Sequence, residues 1–272
     1  MKNFIEAEHL DQLEDMVLLD VRFDFTDPEA GRKQYEAGHI HGAFYLDLNE
    51  DLSSRPTGES GNHPMPDPGE LTSRLEALGI SNDTLVVAYD DGSNSVAGRA
   101  WFVLKHLGLD NVKVLNGGFA AALQAGLAIT REIPDLPRSG LVEIRPDDSL
   151  LASYEEVLAH SREPKKNTVL LDSRAQARYE GREEHLYDVA GHIPGAENLV
   201  YSSPYDEDGR LLSGPELTQL FSRFRGKEDI ILSCGSGVSA AANFLAMDEA
   251  GLKPRLYVGS YSQWLQKGNE VE

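Results

Sequence analysis

Cysteine is all but missing from this chain: Cys234 is the single one in 272 residues. One thiol excludes an intramolecular disulfide, and one thiol with scattered histidines offers no zinc-binding spacing. Positive charge is scarce as well. Against 45 Asp and Glu there are only 25 Lys and Arg, a formal charge of −20. Such a surface repels a phosphate backbone, which argues against a nucleic-acid binder and against a membrane-surface protein. Long apolar runs are absent too, with nothing near the ~18 uninterrupted residues of a membrane helix. The opening MKNFIEAEHLDQLED is acidic and lacks the apolar core of a secretion signal. What is present is ordinary: 40% hydrophobic and 26% charged residues, over a length of about two domains. The expectation is a soluble cytoplasmic protein of two domains, with no nucleic-acid or membrane partner and one thiol to explain.

The chain is written twice. Val17-Leu18-Leu19-Asp20-Val21-Arg22 is echoed by Val169-Leu170-Leu171-Asp172-Ser173-Arg174, and Gly38-His39-Ile40-His41-Gly42-Ala43 by Gly191-His192-Ile193-Pro194-Gly195-Ala196. The stretch from Asp83 to Asp90 aligns with Lys227 to Cys234, and KVLNGGFAAALQAG from Lys113 with RLYVGSYSQWLQKG from Arg255. The order is the same in both halves. The spacing between matched segments shortens along the chain, so the first copy carries extra residues, placed at 53–68.

Short apolar runs at 17–21, 85–89, 113–115, 168–171, 229–233 and 255–257 read as buried strands. Helical spacing appears at 71–78, 96–107, 154–160, 216–223 and 239–250. Alternating strands and helices predict an α/β fold with parallel sheets covered on both faces. Residues 130–149, rich in proline and poor in periodic apolar positions, read as a linker, with the boundary near 131–148.

A lone cysteine is by default a small buried hydrophobe, but the setting of Cys234 argues for chemistry. It follows the strand at 229–233 and opens Gly235-Ser236-Gly237-Val238-Ser239, after which a helix begins. A strand, a glycine-rich turn and a helix N-terminus aim several backbone N–H groups at one point, which favours an anion and suits a nucleophilic thiolate. Three cysteine chemistries compete for such a loop. A phosphotyrosine-phosphatase cradle needs arginine six residues after the cysteine, where this chain has Ala240. A thioredoxin-type motif needs a second cysteine. Sulfur transfer needs one thiol and donors for the outer sulfur of a persulfide, and it fits.

The repeated LLDSR with Arg178-Tyr179, GHIPGA at 191–196, CGSGVSA at 234–240 and GSYSQW at 259–264 resemble the tandem-domain rhodanese superfamily of sulfurtransferases across nearly the whole chain. The resemblance implies two tandem rhodanese-like domains, each a parallel sheet flanked by helices on both faces. An inactive one covers 1–135, with Asp90 at the cysteine position, and a catalytic one covers 145–272. It implies a Cys234 persulfide held by backbone N–H groups of Gly235, Gly237, Val238 and Ser239, and no metal or organic cofactor. Within the superfamily, CGSGVS is similar to the 3-mercaptopyruvate branch, whose loop carries Ser236 where the thiosulfate branch carries a cation. That branch implies a catalytic partnership of Ser236 with a first-domain histidine, here His63 in His63-Pro64-Met65-Pro66. Asn49 stands where the branch places an acid, with Asp47 and Asp51 as alternatives. Arg178 matches the arginine that binds the donor's anionic end. A second substrate arginine has no clean match: His185 holds the aligned spacing and Arg182 is the nearest base. The implied partners are a small sulfur donor, 3-mercaptopyruvate or thiosulfate, and a thiol, thioredoxin or cyanide acceptor. A second class of reading is a non-catalytic persulfide carrier or sensor. Asp20 with Arg22, Asp172 with Arg174, and His39 and His192 recur in both copies and read as structural, as do Trp101 and Trp264.

Overall fold

Runs of Val, Ile and Leu with little polar interruption favour strands buried on both faces, and the sheets are built from them in the computed structural model, which describes residues 1–13 and 16–272. The strands are β1 (Phe4–Ile5), β2 (Met16–Asp20), β3 (His39–Ile40), β4 (Phe44–Tyr45), β5 (Leu85–Tyr89), β6 (Val112–Leu115), β7 (Ile129–Thr130), β8 (Thr168–Asp172), β9 (Glu197–Asn198), β10 (Asp229–Ser233) and β11 (Arg255–Leu256). The helices are α1 (Ala30–Ala37), α2 (Pro68–Ala77), α3 (Ser95–Leu107), α4 (Gly118–Gln124), α5 (Tyr154–Arg162), α6 (Gln176–Tyr179), α7 (Gly214–Leu220), α8 (Ser239–Glu249) and α9 (Ser260–Gln266). One sheet runs β1-β6-β5-β2-β4 and another β11-β10-β8-β9, all parallel, while β3 and β7 form a small antiparallel ribbon. The duplicated strands hold equivalent places: Asp20 lies opposite Tyr89 between β2 and β5, and Asp172 opposite Ser233 between β8 and β10. The helix expected over 216–223 ends instead at Leu220 and is followed by a 3-10 turn, Ser222–Phe224. Among the described residues, no helix is long and apolar enough to cross a membrane.

Contacts divide the chain into two units. The first comprises Met1–Ser54, Met65–Asp147 and Tyr205–Leu211; the second comprises Arg55–Pro64, Asp148–Pro204 and Leu212–Glu272. The stretch read as a linker is tied along the first unit, with backbone N–H bonds from Gly140 to Glu76, Arg145 to Leu107 and Asp147 to His106. Two exchanged segments depart from a single boundary. Residues 55–64, from the surplus of the first copy, pack with the second unit because α9 offers them partners. The Gly61 N–H donates to Gln266 Oε1 at 2.8 Å, the Asn62 N–H to Ser262 Oγ at 3.0 Å, and Gln263 Nε2 to the Glu59 carbonyl at 2.8 Å. Residues 205–211 pack in turn with the first unit, the Leu211 N–H donating to Asn116 Oδ1 and Asn94 Nδ2 to the Gly209 carbonyl, each at 2.8 Å.

A fragment of residues 148–272 lacks the 55–64 strap and its bonds. At about 1 kcal/mol each, three such bonds make roughly 3 kcal/mol. Trp264 is then the sole tryptophan, so its fluorescence follows denaturant unfolding. A synthetic 55–64 peptide is expected to raise the midpoint. An unchanged midpoint would show that the strap adds nothing to the second unit.

Each unit repeats one brace. Arg174 Nη2 donates to Asp172 at 2.6 Å and to the Gly191 carbonyl at 2.7 Å, and its guanidinium lies 4.0 Å over the Tyr261 ring. Arg22 Nη2 bonds Asp20 at 2.6 Å and the Gly38 carbonyl at 2.8 Å, 4.0 Å over Phe119. The repeated histidines are structural as well. His39 stacks on Tyr35 and His192 on Tyr179, centroids 3.9 Å apart in both, each with Nδ1 bonded to its partner's carbonyl. Both tryptophans are buried, Trp264 within the core of the second unit.

Candidate functional site: the Cys234 loop

β10 delivers Cys234 at its C-terminal end, where parallel sheets present their ligand-binding loops. The thiol is buried at 1% exposure, and the Gly237 N–H donates to Sγ at 3.2 Å. Gly237 has φ +75°, and a Cβ there would stand 2.4 Å from the Val258 carbonyl, so only glycine fits this turn. Val238 is buried, and Ser239 begins α8, whose face of alanines packs against the sheet. The start of α9 clamps the other side of the loop. Ser260 Oγ accepts from the Cys234 N–H at 3.1 Å, the Tyr261 N–H donates to the Cys234 carbonyl, and the Ser262 N–H to that of Gly235.

Ser236 and His63 meet. His63 Nδ1 and Ser236 Oγ are hydrogen-bonded at 2.7 Å within the second unit, although in sequence His63 belongs to the first copy. The 55–64 strap brings it there. Asp47 and Asp51 are held in a turn of the first unit: Asp47 accepts from the N–H groups of Asn49 and Glu50, and Asp51 from that of Asp47.

Arg178 lies on α6 and pairs with Glu184, Nη2 to Oε1 at 2.7 Å. Glu184 also takes Arg174 Nη1 at 3.4 Å, so one carboxylate joins the brace to the donor-binding candidate. Burial works to raise the Glu184 carboxyl, but the bond from Arg178, the Leu186 N–H and the two arginine charges outweigh it and hold the group below its ordinary range. Arg182 and His185 point elsewhere. Arg182 bonds Glu180 at 2.5 Å and is 61% exposed; His185 stands 4.0 Å from Glu183 and is 77% exposed. Residues 182 and 185 thus sit on the surface with carboxylates of their own, whereas Arg178 alone of the three is tied to the buried brace. Tyr187, unremarked in the sequence, lies against Gly235, where an added Cβ would come within 2.8 Å of its hydroxyl. Glu184, Ser260 and Ser262 were likewise illegible as site residues, because their partners are remote in sequence. The repeated GSYSQW segment was the one available signal for the serines.

The first unit holds the matching loop, equal in length, from Asp90 to Ser95. The buried Asp90 carboxylate accepts backbone N–H bonds from Gly92 (2.9 Å), Asn94 (3.1 Å), Val96 (3.2 Å) and Ala97 (3.1 Å). This strand-turn-helix geometry therefore cradles an anion, here the chain's own carboxylate.

Comparison with known proteins accords with this geometry. A Pseudomonas aeruginosa protein named as a probable 3-mercaptopyruvate sulfurtransferase is 43% identical over 257 residues, covering 92% of this chain and 89% of the relative. The thiosulfate sulfurtransferase of Cricetulus griseus is 34% identical over 259 residues, covering 92% and 85%. The solved 3-mercaptopyruvate sulfurtransferase from Leishmania major superposes with a TM-score of 0.85 at 29% identity, over 97% of this chain and 74% of that one. The family model of the rhodanese-like domain matches residues 6–125 and again 153–267. With both copies of the repeat accounted for by that one domain, the chain belongs to the rhodanese-like family.

Proposed function

We propose that the chain is a sulfurtransferase that moves the thiol sulfur of 3-mercaptopyruvate to a thiol, thioredoxin or cyanide, carrying it as the sulfane sulfur of a Cys234 persulfide. The observation that carries the reading is the pair of loops. A carboxylate oxygen of aspartate and the outer sulfur of a cysteine persulfide each stand two bonds beyond Cβ. The Asp90 oxygens take N–H groups from the turn and from the start of α3, and in the equivalent strand–turn–helix at Cys234 the sulfur takes the Gly237 N–H from the turn. The first unit's loop is filled by its own carboxylate and is catalytically silent; the second loop is free to take up sulfur.

In the first half-reaction the Cys234 thiolate attacks the donor sulfur. The carbon–sulfur bond breaks, and the electron pair leaves on the enolate of pyruvate, which takes up a proton. The outer sulfur rests among the N–H groups of residues 235–239 and the N-terminus of α8, in a site that needs no reorganisation. Arg178 orients the carboxylate of the donor, and the Ser236–His63 pair lies at the rim of the loop as its proton relay. An acceptor thiolate or cyanide then attacks the outer sulfur, the sulfur–sulfur bond breaks, and the Cys234 thiolate returns. The single thiol suits a reducing compartment, and we assign the activity to the cytoplasm.

Ser236 supports 3-mercaptopyruvate over thiosulfate, because the loop from Cys234 to Ser239 then carries no cation for a dianion. Losing a charge-assisted bond costs about 1–3 kcal/mol, roughly 5- to 150-fold in kcat/KM. Comparing kcat/KM for both donors on one preparation tests the assignment, with 3-mercaptopyruvate expected to be preferred. Ser236→Lys is expected to shift the ratio toward thiosulfate by a factor in that range; a ratio that stays put would remove loop charge as the selector. Thiosulfate preferred by the wild type would move the chain to the thiosulfate reading. Persulfide loading without turnover of either donor would favour a sulfur carrier.

A further inference from the structure

Tyr187 is the feature of this loop that the cycle above does not use. It belongs to the stretch after α6, where its ring packs edge-on to Tyr261, centroids 5.5 Å apart at 77°, and beneath the Arg178 guanidinium at 5.6 Å. These contacts hold the phenol at one orientation. Its hydroxyl rests on the backbone of Gly235, so close that a Cβ at 235 would stand 2.8 Å from the oxygen and 3.6 Å from the nearest ring carbons. Glycine at 235 is what admits the hydroxyl to the loop. Among the described residues this hydroxyl has no hydrogen-bond partner, so its proton is available to a group brought to the loop. Burial, and then the charge of Cys234, push the phenol above its ordinary value, so it remains a donor across the neutral range.

We propose that the Tyr187 hydroxyl donates a hydrogen bond to the outer sulfur of the Cys234 persulfide, completing from a side chain the ring of donors that the loop backbone begins. The inference rests on the persulfide reading and adds a catalytic residue to it. Taking negative charge off the outer sulfur favours attack by an anionic acceptor. A charge-assisted hydrogen bond of this kind corresponds to about a 10- to 150-fold effect.

The test loads Cys234 from three sources separately: inorganic polysulfide, 3-mercaptopyruvate and thiosulfate. Persulfide is read by intact mass, and its release to cyanide by thiocyanate formed in a single turnover, across pH. Tyr187→Phe keeps both ring contacts, so its melting curve should match wild type while release slows by about 10- to 150-fold with each loader. Gly235→Ala should slow release as well, by displacing the hydroxyl. Combining it with Tyr187→Phe should be no slower than Tyr187→Phe alone, because the oxygen the new methyl strikes is gone. Release from Tyr187→Phe within about twofold of wild type would overturn the role of the hydroxyl and leave the persulfide reading standing. Wild-type protein that takes up sulfur from none of the three loaders would overturn both.

Discussion

Cys234→Ser is expected to abolish sulfur transfer with every donor while leaving the fold in place. A serine hydroxyl is a far weaker acid than a thiol and cannot carry a sulfane sulfur, so the loss should exceed about a thousandfold. No other thiol in the chain can substitute. The fold should tolerate the change, because Cys234 is held by main-chain bonds that survive it: its N–H to Ser260 Oγ and its carbonyl from the Tyr261 N–H. The Gly237 N–H that now meets sulfur can meet the serine oxygen instead. The stability cost of so small a volume change should stay below about 1.5 kcal/mol. The check pairs a transfer assay with a melting curve. Transfer retained above a hundredth of wild type would refute the nucleophile assignment, and an unfolded variant would show that the thiol is a packing element.

Arg174→Met is expected to destabilise the second unit strongly. Asp172 and Arg174 are 1% and 2% exposed, and the guanidinium satisfies Asp172, the Gly191 carbonyl and Glu184 at once. Removing the arginine leaves a carboxylate in the interior with its principal partner gone, at a cost of about 3–5 kcal/mol. Much of that should return in the double variant Asp172→Asn with Arg174→Met, since the uncompensated charge is then absent. The units can unfold separately, so a single two-state midpoint is not meaningful. With Trp101→Phe as background, Trp264 alone reports the second unit. A fall of less than about 1 kcal/mol in the single variant would mean the brace is not what holds β8 to the GHIPGA turn. Glu184 spans Arg174 and Arg178, so the same variant should also raise KM for the donor more than it lowers kcat.

Much of this molecule is written in local pattern. The apolar runs at 85–89 and 229–233 are β5 and β10 residue for residue, because a strand buried on both faces of a parallel sheet has no polar alternation to blur its ends. The duplication was equally plain, since repeated segments need repeated environments: Asp20 and Asp172 occupy the same place between paired strands and bind the same arginine two residues on. The Cys234 loop was legible for a related reason. A strand, a glycine turn and a helix start lie within a dozen consecutive residues, and their backbone directions follow from local chemistry alone. Short elements were harder to see. α4 begins at Gly118 and α9 follows Gly259, and glycine at a helix start masks the periodicity that would announce it.

Tertiary structure decided the rest, because the relevant partners are far apart in the chain. His63 and Ser236 are separated by 173 positions, and their bond exists because the 55–64 strap finds hydrogen-bond acceptors on α9 rather than in its own copy. His185 holds the aligned spacing from GHIPGA and Arg182 is the nearest base, but position in the chain cannot say which way a loop side chain turns; both lie on the surface, Arg182 paired with Glu180. Glu184 and Tyr187 sit in the same loop and turn inward, since Glu184 meets two arginines and Tyr187 meets Tyr261. A linear pattern can specify an element and the chemistry of one loop. Which loop residues face the sulfur depends on the partners waiting across the fold, and those are a property of packing.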